Sequence, residues 1–101
     1  MTIQETVSVQ LINKQSIDYN MLKAIEESSE FTEQCVKYLT RKDTKHPINI
    51  DRLEILKEYA DVVFRGSVAM RQLLQMDYGE IKEFVDNYLD MKCVKLLNKL
   101  S

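Results

Sequence analysis

Residues 51–74 read DRLEILKEYADVVFRGSVAMRQLL, and this stretch decides the fold. Leu53, Leu56, Ala60, Val63, Ser67, Met70 and Leu74 alternate three and four apart, the spacing of one face of an α-helix. Asp51 can cap the start, Glu54 follows three residues later, and Ile50 and Ile55 hold the two positions of a hydrophobic staple. Gly66 lies inside the pattern and reads as a close helix contact or a mild kink, not as a break.

The flanking sequence has the same character. From Asp18 to Arg41, the residues Met21, Ile25, Ser28, Thr32, Cys35 and Leu39 form a second helical stripe, with Ser16 or Asp18 as its cap. The polar stretch Arg41 to Pro47, which holds the only His and the only Pro, reads as the connecting loop. A third helix begins at Asp77, with Glu80 three residues on and Met76 and Ile81 as staple. Its apolar face runs through Phe84, Val85, Tyr88, Leu89, Leu96 and Leu100, almost to the C-terminus. Residues 1–16 fit either a strand (Val7, Val9, Leu11) or a helix (Ile3, Val7, Leu11). A lone strand would lack a partner, so a short helix is expected. The expected fold is all-α: three main helices plus a short N-terminal one, in a single domain spanning residues 1–101.

Composition agrees. The chain has 101 residues with only 2 Gly and 1 Pro, too few breakers for an all-β architecture. A net charge of -2 argues against direct binding to a nucleic-acid backbone. No apolar run reaches the length of a membrane span, and no stretch reads as a signal peptide. Cys35 and Cys93 form no metal-binding pair and are expected to be buried thiols in a reducing cytoplasm. One histidine leaves no material for a Ser/His/Asp triad.

The acids carry the chemical signal. Glu27 and Glu30 stand three apart on one helix, and Glu58 and Asp61 stand three apart on the next. Each pair shares a helix face, so two antiparallel helices could aim four carboxylates at one point. Hard divalent cations, Mg²⁺ above all, take oxygen ligands of this kind. Some of these acids also have helical-register partners for ordinary ion pairs: Lys23 before Glu27, Lys57 before Asp61, Arg65 after it. Yet like charges also crowd together: Glu26 with Glu30, Glu54 with Glu58, Glu58 with Asp61. Such pairs repel on a bare helix, and a bound cation reverses that cost. The acids also sit beside apolar residues: Ile55, Val62 and Ala69 on one helix, Ala24 and Phe31 on the other. Both helices are therefore apolar on two sides, which implies cover from two sides. In so short a chain, the second cover is expected from another subunit.

Glu26-Glu27-Ser28-Ser29-Glu30, followed after a gap by Glu58-Tyr59-Ala60-Asp61, resembles the E-E-x-x-E and E-x-x-D motifs of the MazG-like nucleotide pyrophosphohydrolases, an all-α group. The segments MLKAIEESSEF and LKEYADVVF resemble that family's two motif helices, and the resemblance covers roughly residues 17 to 97. It implies a hydrolase that splits a nucleoside triphosphate, (d)NTP, into (d)NMP and pyrophosphate, a house-cleaning activity. Glu27, Glu30, Glu58 and Asp61 would hold Mg²⁺, with Mn²⁺ as a substitute, and Glu26 would bind a second ion or orient water. Lys92 and Lys95 match the basic positions of the family's last helix, where an Arg is more usual. Arg65 and Arg71 are further cationic candidates, and Tyr19, Asn20, Phe64 and Tyr88 are candidates for contact with a base. The resemblance also implies a homodimer or homotetramer. The reading from another class is a non-catalytic helical oligomeric interaction module, which would be expected to have lost some of the five acids. None is lost.

Overall fold

A computed structural model describes residues 1–41 and 52–101, and all regular structure among them is α-helical. The order is α1 (Ile3–Lys14), α2 (Ile17–Arg41), α3 (Arg52–Leu74) and α4 (Tyr78–Leu100). The N-terminal segment is thus a short helix, Ile3–Lys14, and not a strand. Thr2 starts α1, its Oγ1 accepting from the Glu5 backbone N–H at 3.1 Å. Ser16, rather than Asp18, caps α2: its Oγ accepts from Tyr19 N–H at 3.1 Å. Gln75 takes the left-handed conformation (φ 55) and ends α3. Asp77 then starts α4 with a full capping box, accepting from Glu80 N–H at 2.8 Å. Ile50 and Asp51, the expected staple and cap of α3, and the expected loop through His46 and Pro47 lie outside the described residues.

Antiparallel α2 and α3 form the central hairpin, and α1 and α4 each touch α3 over a shorter stretch. At one end of the hairpin Asn20 pairs with Gln72. Midway, the Phe31 and Tyr59 rings meet at 5.9 Å. Val68 and Ala69, both fully buried, form the core where α3 meets its neighbours.

The buried face differs from the expected one. Leu53, Leu56, Val63 and Leu74 of the α3 stripe are each more than half exposed, as are Ile25 and Leu39 of the α2 stripe. The residues withdrawn from solvent are instead Ala24, Glu27 and Phe31 on α2 and Glu58, Val62 and Ala69 on α3. The sides that carry Glu27 and Glu58 thus turn inward, and much of the two apolar stripes turns outward. Gly66 likewise makes no close contact, since a Cβ there would meet nothing within 4 Å. Helix α3 runs through it without interruption. The expectation of buried thiols fails for Cys93, which is exposed, while Cys35 is half-buried.

A buried amide pair locks α1 onto the hairpin. Asn20, fully buried, donates from Nδ2 to Gln72 Oε1 at 2.7 Å and to Leu11 C=O at 3.4 Å. Gln72 Nε2 donates to Gln15 C=O at 3.0 Å and Ile12 C=O at 3.4 Å. The last carbonyls of a helix lack partners within it, so the Gln72 bonds satisfy Ile12 and Gln15, while Leu11 C=O also accepts from Gln15 N–H. Asn20→Ala is expected to strand Gln72 Oε1 and cost about 1–3 kcal/mol. Urea unfolding should show this as a lower midpoint at unchanged slope. An unchanged midpoint would mean that the pair carries no stability.

Candidate metal centre

Glu27 comes from the middle of α2 and Glu58 from the first half of α3, both on the closed side of the hairpin. Asp61, one turn after Glu58, stands at the exposed edge. Each of these three offers a carboxylate oxygen, and the three oxygens lie within 4.8 Å of one another. Glu30 completes the group, close enough for its side chain to act on both Glu27 and Glu58. All four carboxylates named from helical spacing therefore converge.

The electrostatics are those of crowded, partly buried carboxylates. Burial pushes the Glu27 carboxyl above its ordinary range, and the charges of Glu30, Asp61 and Glu58 push it further. Glu58 is raised in the same way, by burial first and then by Glu30 and Asp61. Glu27 Oε2 and Glu58 Oε2 are buried, with no hydrogen-bond partner. Buried polar atoms in folded proteins are overwhelmingly paired, so two orphaned oxygens on facing helices are informative. Oxygens bound to one Mg²⁺ at about 2.0–2.1 Å lie within about 4.2 Å of one another. Small side-chain adjustments bring the present set into that range, and the all-oxygen donor set fits a hard divalent cation.

Lys23 pairs with Glu26 at 3.0 Å, not with Glu27. Lys57 pairs with Glu54 at 2.9 Å. For Lys23, three-residue spacing is used where four-residue spacing to Glu27 was available. Glu26 is thereby held on the exposed side of α2, apart from the other four acids.

Lys92 and Lys95 are not brought to the acids of their own chain. Both are exposed on the second half of α4, and Lys92 Nζ stands 5.7 Å from the Tyr88 ring. Arg65 gains the positional support that sequence could not supply. It lies one turn beyond Asp61, half-buried, close enough for its charge to act on Lys23, and its Nη1 is buried without a hydrogen-bond partner. Seven-residue spacing from Glu58 was the available signal, obscured by the reading of Arg65 as an ordinary ion-pair partner of Asp61.

Beside Asp61 runs a groove of about 560 Å³, floored by the outer stripe of α3 (Leu56, Ala60, Val63, Ser67). Gln4 and Ser8 of α1 line it, as does Tyr78 at the start of α4; Tyr59 and Phe64 add aromatic surface. Of the other aromatic candidates, Tyr88 stacks on Phe84 within α4, and Tyr19 lies beneath Lys23 on α2.

No family model matches the chain, and no curated protein or solved structure does either. Function therefore rests on the geometry. No helix among the described residues is long and apolar enough to cross a membrane.

Proposed function

We propose that the chain is a divalent-metal-dependent nucleotide pyrophosphohydrolase of the MazG-like kind, acting on a (d)NTP in the cytoplasm and working as a homodimer or homotetramer. The observation that carries this reading is the meeting of Glu27, Glu30, Glu58 and Asp61, with two buried carboxylate oxygens left unpaired. A cluster serving only solubility would face water throughout, whereas Glu27 and Glu58 are half-buried, and Lys23 pairs with Glu26 rather than with Glu27.

These four residues would hold Mg²⁺. A bound Mg²⁺ neutralises phosphate charge and makes a water molecule more nucleophilic near neutral pH. The residues themselves supply a fixed arrangement of negative oxygens on two packed helices, so little reorganisation is needed when a ligand arrives. Glu30, beside Glu27 and Glu58, adds a further negative oxygen to this set. Arg65 offers an unpaired guanidinium nitrogen to a phosphate oxygen one turn away from Asp61.

A panel of NTPs and dNTPs with Mg²⁺ tests the reading through its products. Nucleoside monophosphate and pyrophosphate are expected, from attack at the α-phosphorus. Release of inorganic phosphate with a diphosphate would refute that chemistry, and absence of turnover across the panel would favour the rival interaction module. The exposed apolar faces are compatible with either.

A further inference from the structure

The MazG-like resemblance spans roughly residues 17 to 97 and does not include α1 (Ile3–Lys14). The one buried residue of α1 is Ser8, 4% exposed. A helix that packs on a neighbour normally buries aliphatic side chains there. A serine in such a place costs free energy unless its hydroxyl is paired.

The chain's threonines show the ordinary way of pairing it. Thr6, Thr32 and Thr40 each donate from Oγ1 to a carbonyl four residues back, at 3.0, 2.9 and 2.9 Å. Ser8 makes no such bond to Gln4 C=O, and its hydroxyl has no other hydrogen-bond partner among the described residues. Ser67, half-buried on α3, is likewise unbonded through its hydroxyl. Both serines line the groove beside Asp61.

The groove selects the chemistry of what enters it. Its volume of about 560 Å³ falls within the roughly 300–1,000 Å³ of small-molecule pockets. Tyr59 and Phe64 offer flat apolar surface, and Asp61 is the one charged residue in the lining. No cation stands there to receive phosphates. An uncharged planar ring with a polar edge fits such a lining, and in a nucleotide that part is the base. Asp61, at the exposed edge of the acid group, joins the groove to the carboxylates.

We propose that the groove receives the nucleobase and that Ser8, with Gln4 one turn before it, reads the hydrogen-bonding edge of that base. Helix α1 is then the element that sets base preference. A hydroxyl and a carboxamide can each donate and accept, so together they match one pattern of base edge better than another. A wrong base leaves the Ser8 hydroxyl unpaired, and sites built on such bonds discriminate more sharply than apolar slots do. Ser8 has no part in the phosphate chemistry. The inference rests on the nucleotide reading above and adds which residues choose the base.

Ser8→Ala tests it. Kinetics across the NTP and dNTP panel with Mg²⁺ should show a preferred base for the native protein. In the variant, KM for that nucleotide should rise about tenfold or more, with kcat nearly held and the preference flattened. The melting temperature should stay level or rise, because the lost hydroxyl has no partner within the chain; a serine kept for structure would lower it. No native preference, or a preference indifferent to Ser8, would overturn the inference. Adenosine, guanosine, cytidine and thymidine, followed by saturation-transfer NMR in chelator, keep the test independent of hydrolysis. Native protein should bind at least one of them through its base protons, and Ser8→Ala should bind it more weakly. Binding of this kind without turnover of any nucleotide would sink the hydrolase reading alone. Turnover with a base preference that ignores Ser8 would sink this inference alone, and neither binding nor turnover would sink both.

Discussion

Glu58→Gln is expected to lower metal-dependent nucleotide hydrolysis more than about a hundredfold, because loss of a mere supporting contact at a metal site already costs 10–100-fold. The same change should raise the melting temperature of the metal-free protein. Glu58 is half-buried, carries an unpaired oxygen and faces Glu30 and Asp61. Gln keeps the shape, removes one of the crowded charges and adds a hydrogen-bond donor for a neighbouring carboxylate. Opposite signs for activity and metal-free stability are the mark of a site whose cost is borne for function. A stabilised variant that keeps its activity would leave the acids without a role in catalysis. Thermal melts with chelator present, beside initial rates with Mg²⁺, measure both quantities on one preparation.

Divalent metal should reverse the pH dependence of stability. The Glu27 and Glu58 carboxyls are raised above their ordinary value of 4.5 by burial and by neighbouring acids. A carboxyl raised in the folded state holds its proton more tightly there than in the unfolded chain. Its stabilising contribution is complete below the unfolded value and is lost as pH rises through the folded one. In chelator, the protein should therefore melt higher at pH 5 than at pH 7.5. Asp77 is shifted the other way, lowered by its hydrogen bond from the Glu80 backbone, so it stays ionised across this range and adds no slope. Mg²⁺ binds the ionised forms, so in its presence the higher melting temperature should move to pH 7.5. At a hundred times its dissociation constant, a ligand adds about 2.7 kcal/mol. For a domain of this size that is roughly 10–20 °C. A double Glu27→Gln, Glu58→Gln variant should lose both the acid-side gain and the Mg²⁺ response. Equal melting profiles for native and double variant would contradict the assignment.

Helix existence was legible because α2, α3 and α4 each carry long three-and-four periodicity, and Ser16 and Asp77 act as the caps their positions suggest. The acid set was legible for the same reason: three-residue spacing fixes a common face whatever the tertiary packing. Which face turns inward was not. Both sides of α2 and α3 are apolar, and periodicity measures amphipathicity without saying which neighbour covers which side. The choice is marked by the buried contacts of Asn20 with Gln72 at the end of the hairpin. These contacts join residues 52 positions apart, beyond the reach of any local pattern. The lysine pairings were hidden for a milder reason, since three- and four-residue partners are both reachable and rotamers decide between them.

Titration of Mn²⁺ into the metal-free protein, followed by loss of the free-ion electron paramagnetic resonance signal, tests the metal centre most directly. Native protein should remove Mn²⁺ saturably at a defined number of sites per chain, Mg²⁺ should displace it, and Glu58→Gln should abolish the binding. Weak, non-saturating uptake that is equal in the native protein and in Glu58→Gln would show that the four carboxylates hold no metal.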